Sequence, residues 1–344
     1  MEFTIFTALM LWLFVQFRFR RREKRLRDRF EEEFEEEFLE KAELEESLDE
    51  WRERAEAYPE NILRDFLVET AQSNEGRGRE RAVALYRQLG FIDEDYEALE
   101  VGRPRERLTA LKRMLTVATA EDRDALLDAP IERHVSAVVI AEILSRVGEP
   151  EDLAEIFSKI QIEARIMEEP LYAVFADLSL ETVEAVLRKA WDEVEAVRVR
   201  RVLLDVAADR GVETAHDLMD DAAEADDMEL RIGACAAGGR LDDDRSFELL
   251  ADLLEDDRWE VRARAATSLG RRGDERARDP LAEAMRDPEF WVRQNAAEAL
   301  RGLGEAGVRT LESVRDESDD EFAVDTARQE LNRHDFQRRE GEQR

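Results

Sequence analysis

The side chains that most often carry out chemistry in proteins are scarce or scattered in this sequence. There are three histidines, His134, His216 and His334, far apart along the chain, and Cys235 is the only cysteine. The sequence contains no Cys-x-x-Cys pair, no phosphate-binding glycine loop and no nucleophile elbow. Carboxylates are so numerous, 85 in 344 residues, that a pair of them says little about acid–base catalysis. We therefore predict no catalytic residue, no cofactor and no metal site.

One group of polar residues does recur at a constant spacing. It consists of four arginines, each 31 residues from the next and each preceded by Val or Leu: Arg200, Arg231, Arg262 and Arg293. Pairs of small residues follow at the same period, as in Ala265-Ala266 and Ala296-Ala297. A fixed period of this length indicates an array of helical hairpins, in which stacked neighbours share one core and leave a long exposed surface.

The elements that carry this period are predicted to be helices. No stretch shows the period-two alternation of a β-strand, and glycines punctuate the apolar pattern at regular intervals. Val261, Ala265 and Leu269 are spaced i, i+4, i+8 and should form a buried stripe, with the paired alanines allowing close helix approach. The fold class is therefore all-α: an α-solenoid over residues 103–334 of about seven or eight hairpins, of which about six keep the period.

Residues 257–270 and 287–300 carry the pattern most fully, and they resemble HEAT repeats, in particular the short variety named after phycobilin lyase subunits. The resemblance implies a structural ladder, in which Arg200, Arg231, Arg262 and Arg293 bond acidic or backbone groups of the adjoining repeat. A ligand-binding role for these arginines is the alternative. HEAT-type metal hydroxylases hold iron on His-Glu pairs, and no histidine here precedes a Glu.

The N-terminus has a different character. Between Phe3 and Phe17 the only polar residues are two threonines and a glutamine, and an arginine-rich segment follows from Arg18. We predict a membrane anchor at residues 1–17, with a helix lying flat at the interface as the alternative. The positive-inside rule then predicts a single-pass protein of the cell membrane whose C-terminal region is cytoplasmic. The chain also resembles membrane-anchored prokaryotic HEAT proteins in its Tyr-x-x-Leu-Gly-Phe segment, residues 86–91.

Residues 18–58 are predicted to continue this helix as a stalk, first basic and then acidic. Leu26, Phe30, Phe34 and Phe38 recur every four residues and form a narrow apolar stripe. Two interpretations stay open: self-association of the stalk as a coiled coil, or docking of the stripe onto the protein's own first repeats. Residues 59–102 are predicted as short helices and linker, with a flexible connection at 72–80, and residues 335–344 as a disordered tail.

The charge of the chain is strongly unbalanced. The net charge is −33, and lysine occurs at only five positions, so nearly every cation is an arginine. An acidic surface with few lysines resembles the proteins of haloarchaea, in which high salt screens the repulsion between carboxylates. On that interpretation the charge serves solubility. The alternative is that the acidic protein binds a basic partner.

The helix faces opposite the buried stripe are the predicted binding surface. In two neighbouring repeats these faces carry six candidate residues: Glu260, Arg271, Trp291, Gln294, Glu298 and Arg301. Trp291 is the strongest candidate, because an aromatic side chain beside polar groups is typical of interaction hot spots. The alternative for Trp291 is packing against Phe290 and Trp259.

Together these patterns predict a membrane-tethered, cytoplasmic HEAT-repeat scaffold that binds an unidentified protein partner and has no catalytic activity. One alternative is nucleic-acid binding through a basic cluster, which comprises Arg264, Arg271, Arg272, Arg276 and Arg278. Acidic residues interleave with this cluster, so nucleic acid is an unlikely partner. A lyase-type HEAT enzyme subunit is the remaining alternative, and it depends only on the name of the repeat.

Overall fold

The computed structural model describes the backbone of residues 2–44, 46–130, 134–160 and 168–342, and the side chains of residues 22–44, 46–130, 136–160 and 169–334. Within these ranges every regular element is a helix and there is no β-strand. The prediction of an all-α protein is therefore confirmed for the described chain. It divides into two compact units, Met1–Glu132 and Arg133–Arg344.

The described part of unit 1 is built from seven α-helices and a short 3-10 turn at Ala120–Asp122. The helices are α1 (Glu2–Glu43), α2 (Asp49–Ala55), α3 (Glu60–Ser73), α4 (Gly76–Gln88), α5 (Phe91–Val101), α6 (Pro104–Val117) and α7 (Arg123–Asp128). Helices α2, α3 and α4 all pack against α1, and α6 packs against α3 and α5. The long first helix is thus part of a helical bundle over its C-terminal half.

An aromatic core holds this bundle together. Phe30, Phe34 and Phe38 of α1 are fully buried, as predicted apolar positions every four residues on one helix face should be. The ring of Phe38 lies 5.0 Å from that of Trp51 in α2, and Phe30 lies 5.1 Å from Phe66 in α3. The indole N–H of Trp51 donates a hydrogen bond of 3.1 Å to the carbonyl of Phe34, which satisfies its one polar atom.

The apolar stripe of α1 is therefore covered by the protein's own helices. Self-association of residues 18–58 as a coiled coil needs that stripe exposed, so this interpretation is corrected in favour of intramolecular docking. The predicted single stalk also ends early, because the chain leaves α1 at Glu43 and returns as α2. The reversal places Trp51 beside the phenylalanines, where its apolar surface is removed from water.

The region predicted as linker is packed helix instead. Only Asn74 and Glu75 separate α3 from α4, and Gly78 is buried in α4. A Cβ at Gly78 would lie 3.4 Å from the side chain of Leu39 in α1, so this glycine serves close helix packing rather than flexibility. Helix α6 belongs to unit 1, so the solenoid starts after residue 132 and not at residue 103.

The membrane anchor predicted at residues 1–17 falls on side chains that lie outside the described residues. Helix α1 runs through Glu2–Glu43. Of the helices that can be judged from described residues, none combines the length and the apolar character needed to cross a membrane. The anchor thus stays a prediction.

The described part of unit 2 contains thirteen α-helices. They are α8 (His134–Val147), α9 (Pro150–Lys159), α10 (Glu168–Ala173), α11 (Leu180–Glu193), α12 (Val197–Arg210), α13 (Thr214–Ala223), α14 (Met228–Gly238), α15 (Asp244–Asp252), α16 (Trp259–Arg272), α17 (Arg278–Ala284), α18 (Phe290–Gly302), α19 (Glu305–Glu317) and α20 (Glu321–Glu342). The last of these covers most of the segment predicted as a disordered tail, although its side chains after residue 334 are not described.

From α11 onward the helices pair into five successive hairpins, and α9 with α10 forms a sixth pair. The second helices of the hairpins are α12, α14, α16, α18 and α20, and each packs on the next. The first helices pack on one another in the same way. Two layers of helices thus run through unit 2, which is the arrangement expected of a helical-repeat solenoid.

The 31-residue register appears directly in the packing and the turns. Val261, Ala265 and Leu269 are fully buried, and so are the corresponding residues of α18, which confirms the predicted stripe. Gly211, Gly273 and Gly304 fall on one register and all adopt left-handed φ angles of 62°, 70° and 71°, which favour glycine after a helix. Helices α16 and α18 approach so closely that a Cβ on Gly270 would lie 2.5 Å from the Cβ of Ala299.

Replacing Phe34 by alanine should destabilise unit 1 by about 3 to 5 kcal/mol, because it leaves a cavity where several aromatic rings meet. The effect should appear in native-state hydrogen exchange as a loss of protection across α2 and α3. Leu44→Ala is the matched control, since Leu44 is 61% exposed, and should change stability by less than about 0.5 kcal/mol. Equal effects of the two substitutions would contradict an aromatic core.

Candidate functional site

The four register arginines form hydrogen bonds within the solenoid. Arg262 is the clearest case: its Nε and Nη2 donate to the carboxylate of Asp287 at 2.6 and 3.0 Å, in the bidentate geometry that suits a guanidinium. Its Nη1 donates to the carbonyls of Asp256 and Asp257 at 2.7 and 3.3 Å. One side chain thus joins the turn of its own hairpin to the turn of the next.

Arg231 repeats this arrangement one unit earlier. Its Nε and Nη2 donate to Asp256 at 2.8 and 3.2 Å, and its Nη1 donates to the carbonyls of Ala225 and Asp226 at 2.9 and 3.1 Å. In both units the carbonyl acceptors lie five and six residues before the arginine, and the carboxylate lies 25 residues after it. The donors of these arginines are satisfied inside the protein, which leaves no role for them as a ligand site.

The two outer members of the series lack the carboxylate. Arg200 donates to the carbonyl of Val194 at 2.6 Å, and Arg293 donates to those of Asp287 and Pro288 at 2.7 and 2.8 Å. The position 25 residues later is alanine after Arg200 and serine after Arg293. Aromatic rings take its place, since the guanidinium of Arg293 lies 5.0 Å from the ring centre of Phe322.

The ladder carboxylates also hold the starts of the second helices. Asp256 accepts a hydrogen bond of 2.8 Å from the backbone N–H of Arg258, and Asp287 accepts one of 2.8 Å from that of Glu289. Both had been predicted as helix caps. A third predicted cap, Asp226, does not act in this way, and its neighbour Asp227 bonds the N–H of Glu229 instead.

Other arginines bridge successive hairpins without belonging to the predicted series. The guanidinium of Arg272 is almost fully buried, at 2% exposure, and donates to the carbonyls of Gly238, Leu241 and Asp243 in the preceding turn. Arg210 donates in the same way to Phe175 and Leu178. Sequence reasoning missed this second ladder because its arginines are not all spaced by 31 residues.

The basic cluster considered for nucleic-acid binding is largely consumed by such internal contacts. Arg272 is buried on backbone carbonyls, Arg276 pairs with Asp274 at 2.7 Å and with Asp244 at 2.8 Å, and Arg278 donates to the carbonyl of Glu275. These three guanidinium groups are therefore engaged within unit 2. Only Arg264 and Arg271 of the five remain without a carboxylate partner among the described residues.

The side of the second helices that faces away from the core is the open face. On α16 and α18 its exposed or half-buried residues are Glu260, Arg264, Thr267, Arg271, Trp291, Asn295, Glu298 and Gly302. Each α18 residue lies 31 positions after its α16 counterpart, so the two helices present their residues in matching rows.

Four of the six predicted surface residues lie on the open face, namely Trp291, Glu298, Glu260 and Arg271. Gln294 and Arg301 lie at its edge. The guanidinium of Arg301 lies 3.7 Å from the buried carboxylate of Glu330 in α20, so it takes part in helix packing. Arg264 and Asn295 belong to the face and were not predicted, although the 31-residue register places them in one row.

The most exposed apolar side chains of the open face are aromatic. Trp291 is 57% exposed and packs edge-on against Phe290, which is 48% exposed, with ring centres 5.3 Å apart. Among the described rings Trp291 has no second aromatic partner, so the predicted contact with Trp259 is absent. Phe322, 31 residues after Trp291, is 67% exposed.

Groups that could support catalysis or bind a metal are not gathered at one point in the described chain. No three His, Cys, Asp or Glu side chains of that part converge as a metal site would require. His216 lies 3.0 Å from Asp243, whereas the side chain of His134 is outside the described residues. Cys235 is fully buried, and burial raises the pKa of its thiol to about 12, which keeps it protonated at neutral pH.

Unit 1 contains a buried polar cluster around the Tyr-x-x-Leu-Gly-Phe segment. The hydroxyl of Tyr86 donates to Asp95 at 2.6 Å, and the Nε of Arg113 donates to the same carboxylate at 2.9 Å. Burial, followed by the charge of Asp95, raises the pKa of Tyr86 far above its usual value. Because the charge of Asp95 is matched by Arg113, this cluster stabilises the helical bundle and offers no free group to a substrate.

Residues 248–332 match the HEAT repeat family. They span the hairpins that carry Arg262 and Arg293. The family is thus evident in the C-terminal repeats, and the match specifies no phycobilin-lyase variety. No curated protein has a detectable sequence match to the chain.

Several solved structures with low sequence identity align with most of the chain. The Escherichia coli protein YibA is 15% identical over 73% of this chain and 96% of its own, with a TM-score of 0.35. An engineered protein is 17% identical over 78% of this chain and 82% of its own, with a TM-score of 0.32. A designed armadillo repeat protein is 15% identical over 70% of this chain and 98% of its own, with a TM-score of 0.24.

Replacing Asp287 by asparagine should destabilise unit 2 by about 2 kcal/mol, because asparagine keeps the helix cap but leaves the guanidinium of Arg262 without its charged partner. Chemical denaturation of Asp287→Asn, of Arg262→Met and of the double variant measures the coupling. The exposed pair Arg286–Glu283, 2.6 Å apart, is the control and should contribute less than about 0.5 kcal/mol. A coupling no larger than in this pair would contradict the ladder.

The ladder also predicts a dependence of stability on pH. Burial raises the pKa of Asp256, but the hydrogen bonds from Arg231 and from the Arg258 amide outweigh it and hold the pKa below its usual value. A carboxyl with a lowered folded pKa stabilises above about pH 4 and loses that contribution as the pH falls through its folded pKa. The difference in unfolding free energy between wild type and Asp256→Asn should therefore shrink from pH 7 toward pH 3. The exposed Asp279→Asn should show no such trend.

Proposed function

We propose that this protein is a non-catalytic scaffold, tethered to the inner face of the cell membrane through residues 1–17, whose HEAT-repeat unit binds a protein partner on the open face around Trp291. The repeat fold supports a binding role, because stacked hairpins present a long surface of regularly spaced side chains. The partner is a protein segment that places an apolar or aromatic side chain against Trp291.

The observation that carries the proposal is the exposure of Phe290, Trp291 and Phe322 in neighbouring hairpins. The register position of Trp291 and Phe322 holds Glu229 and Glu260 in the two preceding hairpins. The aromatic residues are thus confined to the C-terminal end of the array and are not a requirement of the repeat itself. Large aromatic side chains left in water beside polar groups are typical of protein-binding hot spots.

The charge around these rings favours a protein over a nucleic acid. Glu289, Glu298 and Glu321 are exposed close in sequence to the aromatic residues, and the whole chain carries a net charge of −33. Phosphate backbones bind where lysines and arginines neutralise them. An apolar protein segment pays no such electrostatic penalty.

The membrane tether is supported by the sequence. The apolar segment Phe3–Phe17 precedes a run of arginines, which favours retention of the basic side in the cytoplasm. A tether of this kind would hold the open face near the membrane and raise the local concentration of any membrane-associated partner. Fractionation tests it: the full chain should sediment with membranes and resist extraction by high salt, whereas a variant lacking residues 1–17 should stay soluble.

Trp291→Ser should weaken capture of the partner at least tenfold while leaving thermal stability unchanged, because the indole is exposed before binding. Crosslinking pulldown of the full chain in high salt, followed by quantitative mass spectrometry, measures the loss. Leu180→Ser is the matched control, since Leu180 is 56% exposed on a first helix, away from the open face. A partner lost equally from both variants, or retained by both, would exclude Trp291 as the anchor.

A further inference from the structure

Four arginines of unit 2 lie on or beside the open face of three successive second helices. Arg264 and Arg271 lie two turns apart on the open face of α16, and Arg240 occupies the register position of Arg271 on α14. Arg201 reaches from α12 across α14, where its Cγ lies 3.5 Å from the place that a Cβ on Gly233 would take. Gly233 is itself the register equivalent of Arg264, so no side chain of α14 fills this row.

The partners of these four arginines are unequal. Arg201 donates to Glu229 at 2.9 Å, and Arg240 pairs with Asp205 at 2.6 Å and with Asp209 at 3.0 Å. No carboxylate of the described chain pairs with Arg264 or Arg271. In a protein with 85 Asp and Glu residues against 52 Lys and Arg, two adjacent arginines without a carboxylate are an exception that composition does not explain.

The arginine that faces the α14 side is also partly removed from water. The Nε of Arg264 is buried and has no hydrogen-bond partner, and the same holds for the Nε of Arg201. Burial and the neighbouring charges of Arg271, Arg240 and Arg201 lower the pKa of Arg264. A guanidinium remains charged at neutral pH, so the unfavourable energy is not relieved by loss of a proton. It is relieved by an anion.

We propose that Arg264 and Arg271, supported by Arg201 and Arg240, form a binding site for an oxyanion group, a phosphate or a carboxylate. The planar donors of a guanidinium match both groups in paired hydrogen bonds, and two unpaired guanidinium groups on one face supply the charge. The group can belong to a free anion or to an acidic side chain of a bound protein. The site does not depend on the proposed partner, because small anions test it alone.

The experiment titrates the full chain with inorganic phosphate and, separately, with succinate, at constant ionic strength against chloride. Isothermal titration calorimetry should give saturable binding, weakened at least tenfold in Arg264→Gln and in Arg271→Gln, since hydrogen bonds to a charged group are lost. Arg309→Gln removes the same charge from an exposed position on α19 and should bind as the wild type does. Binding of phosphate alone identifies a phosphate site, and binding of succinate as well extends it to carboxylates.

A second measurement separates a binding role of Arg264 from a structural one. Without added anion, Arg264→Met should raise the melting temperature, because it removes an unpaired, partly buried charge. It should also abolish the increase in melting temperature that phosphate produces in the wild type. A fall in melting temperature, absence of saturable binding in the wild type, or equal binding by the Arg264→Gln/Arg271→Gln double variant would each overturn the proposal. Arg271 is exposed, so its variant remains informative if replacement of Arg264 impairs folding.

Discussion

The repeat unit of this protein depends on one interaction, the bond between a guanidinium and the two turns on either side of it. Arg231 and Arg262 each bind carbonyls of their own turn and the carboxylate of the next, and that carboxylate in turn caps the following helix. The same few atoms therefore join two hairpins and set where the next second helix begins. Because the bond is partly buried and bidentate, it contributes more than a surface ion pair and fixes the spacing between hairpins.

Helices joined at constant spacing present their outward residues in rows, and this regularity gives the open face its character. The buried side of each second helix is nearly invariant in kind, with valine, alanine and leucine at matching positions. The outward side is free of that constraint. Glutamate at two successive register positions gives way to Trp291 and Phe322, and Gly233 is succeeded by Arg264. Variation on a constant framework is the physical basis on which one repeat fold acquires a specific surface.

The internal demand for arginine also explains how a site can stand out in so charged a protein. Many arginines of unit 2 are taken up by carbonyls and carboxylates of neighbouring hairpins, including Arg272, which basic composition alone had placed in a nucleic-acid site. Arg264 and Arg271 are distinguished by what surrounds them and not by their type. Unit 1 solves its stability differently, with aromatic rings from α1, α2 and α3 that bury a large apolar area in a small volume.

Periodicity in the sequence was sufficient to determine the all-helical class, the hairpin repeat, the buried Val-Ala-Leu stripe and the positions of the register arginines. These features follow from the pitch of the α-helix, which assigns residues to faces without reference to any other part of the chain. The partner of each face was decided only by the tertiary structure. The Phe30–Phe34–Phe38 stripe had two possible occupants until α2 and α3 were seen to cover it. Arg264 and Arg272 looked alike until one proved to be bonded to backbone carbonyls and the other unpaired. A sequence records which side chains share a helix face, but burial and pairing depend on the distances between helices, and those are set by packing across the whole unit.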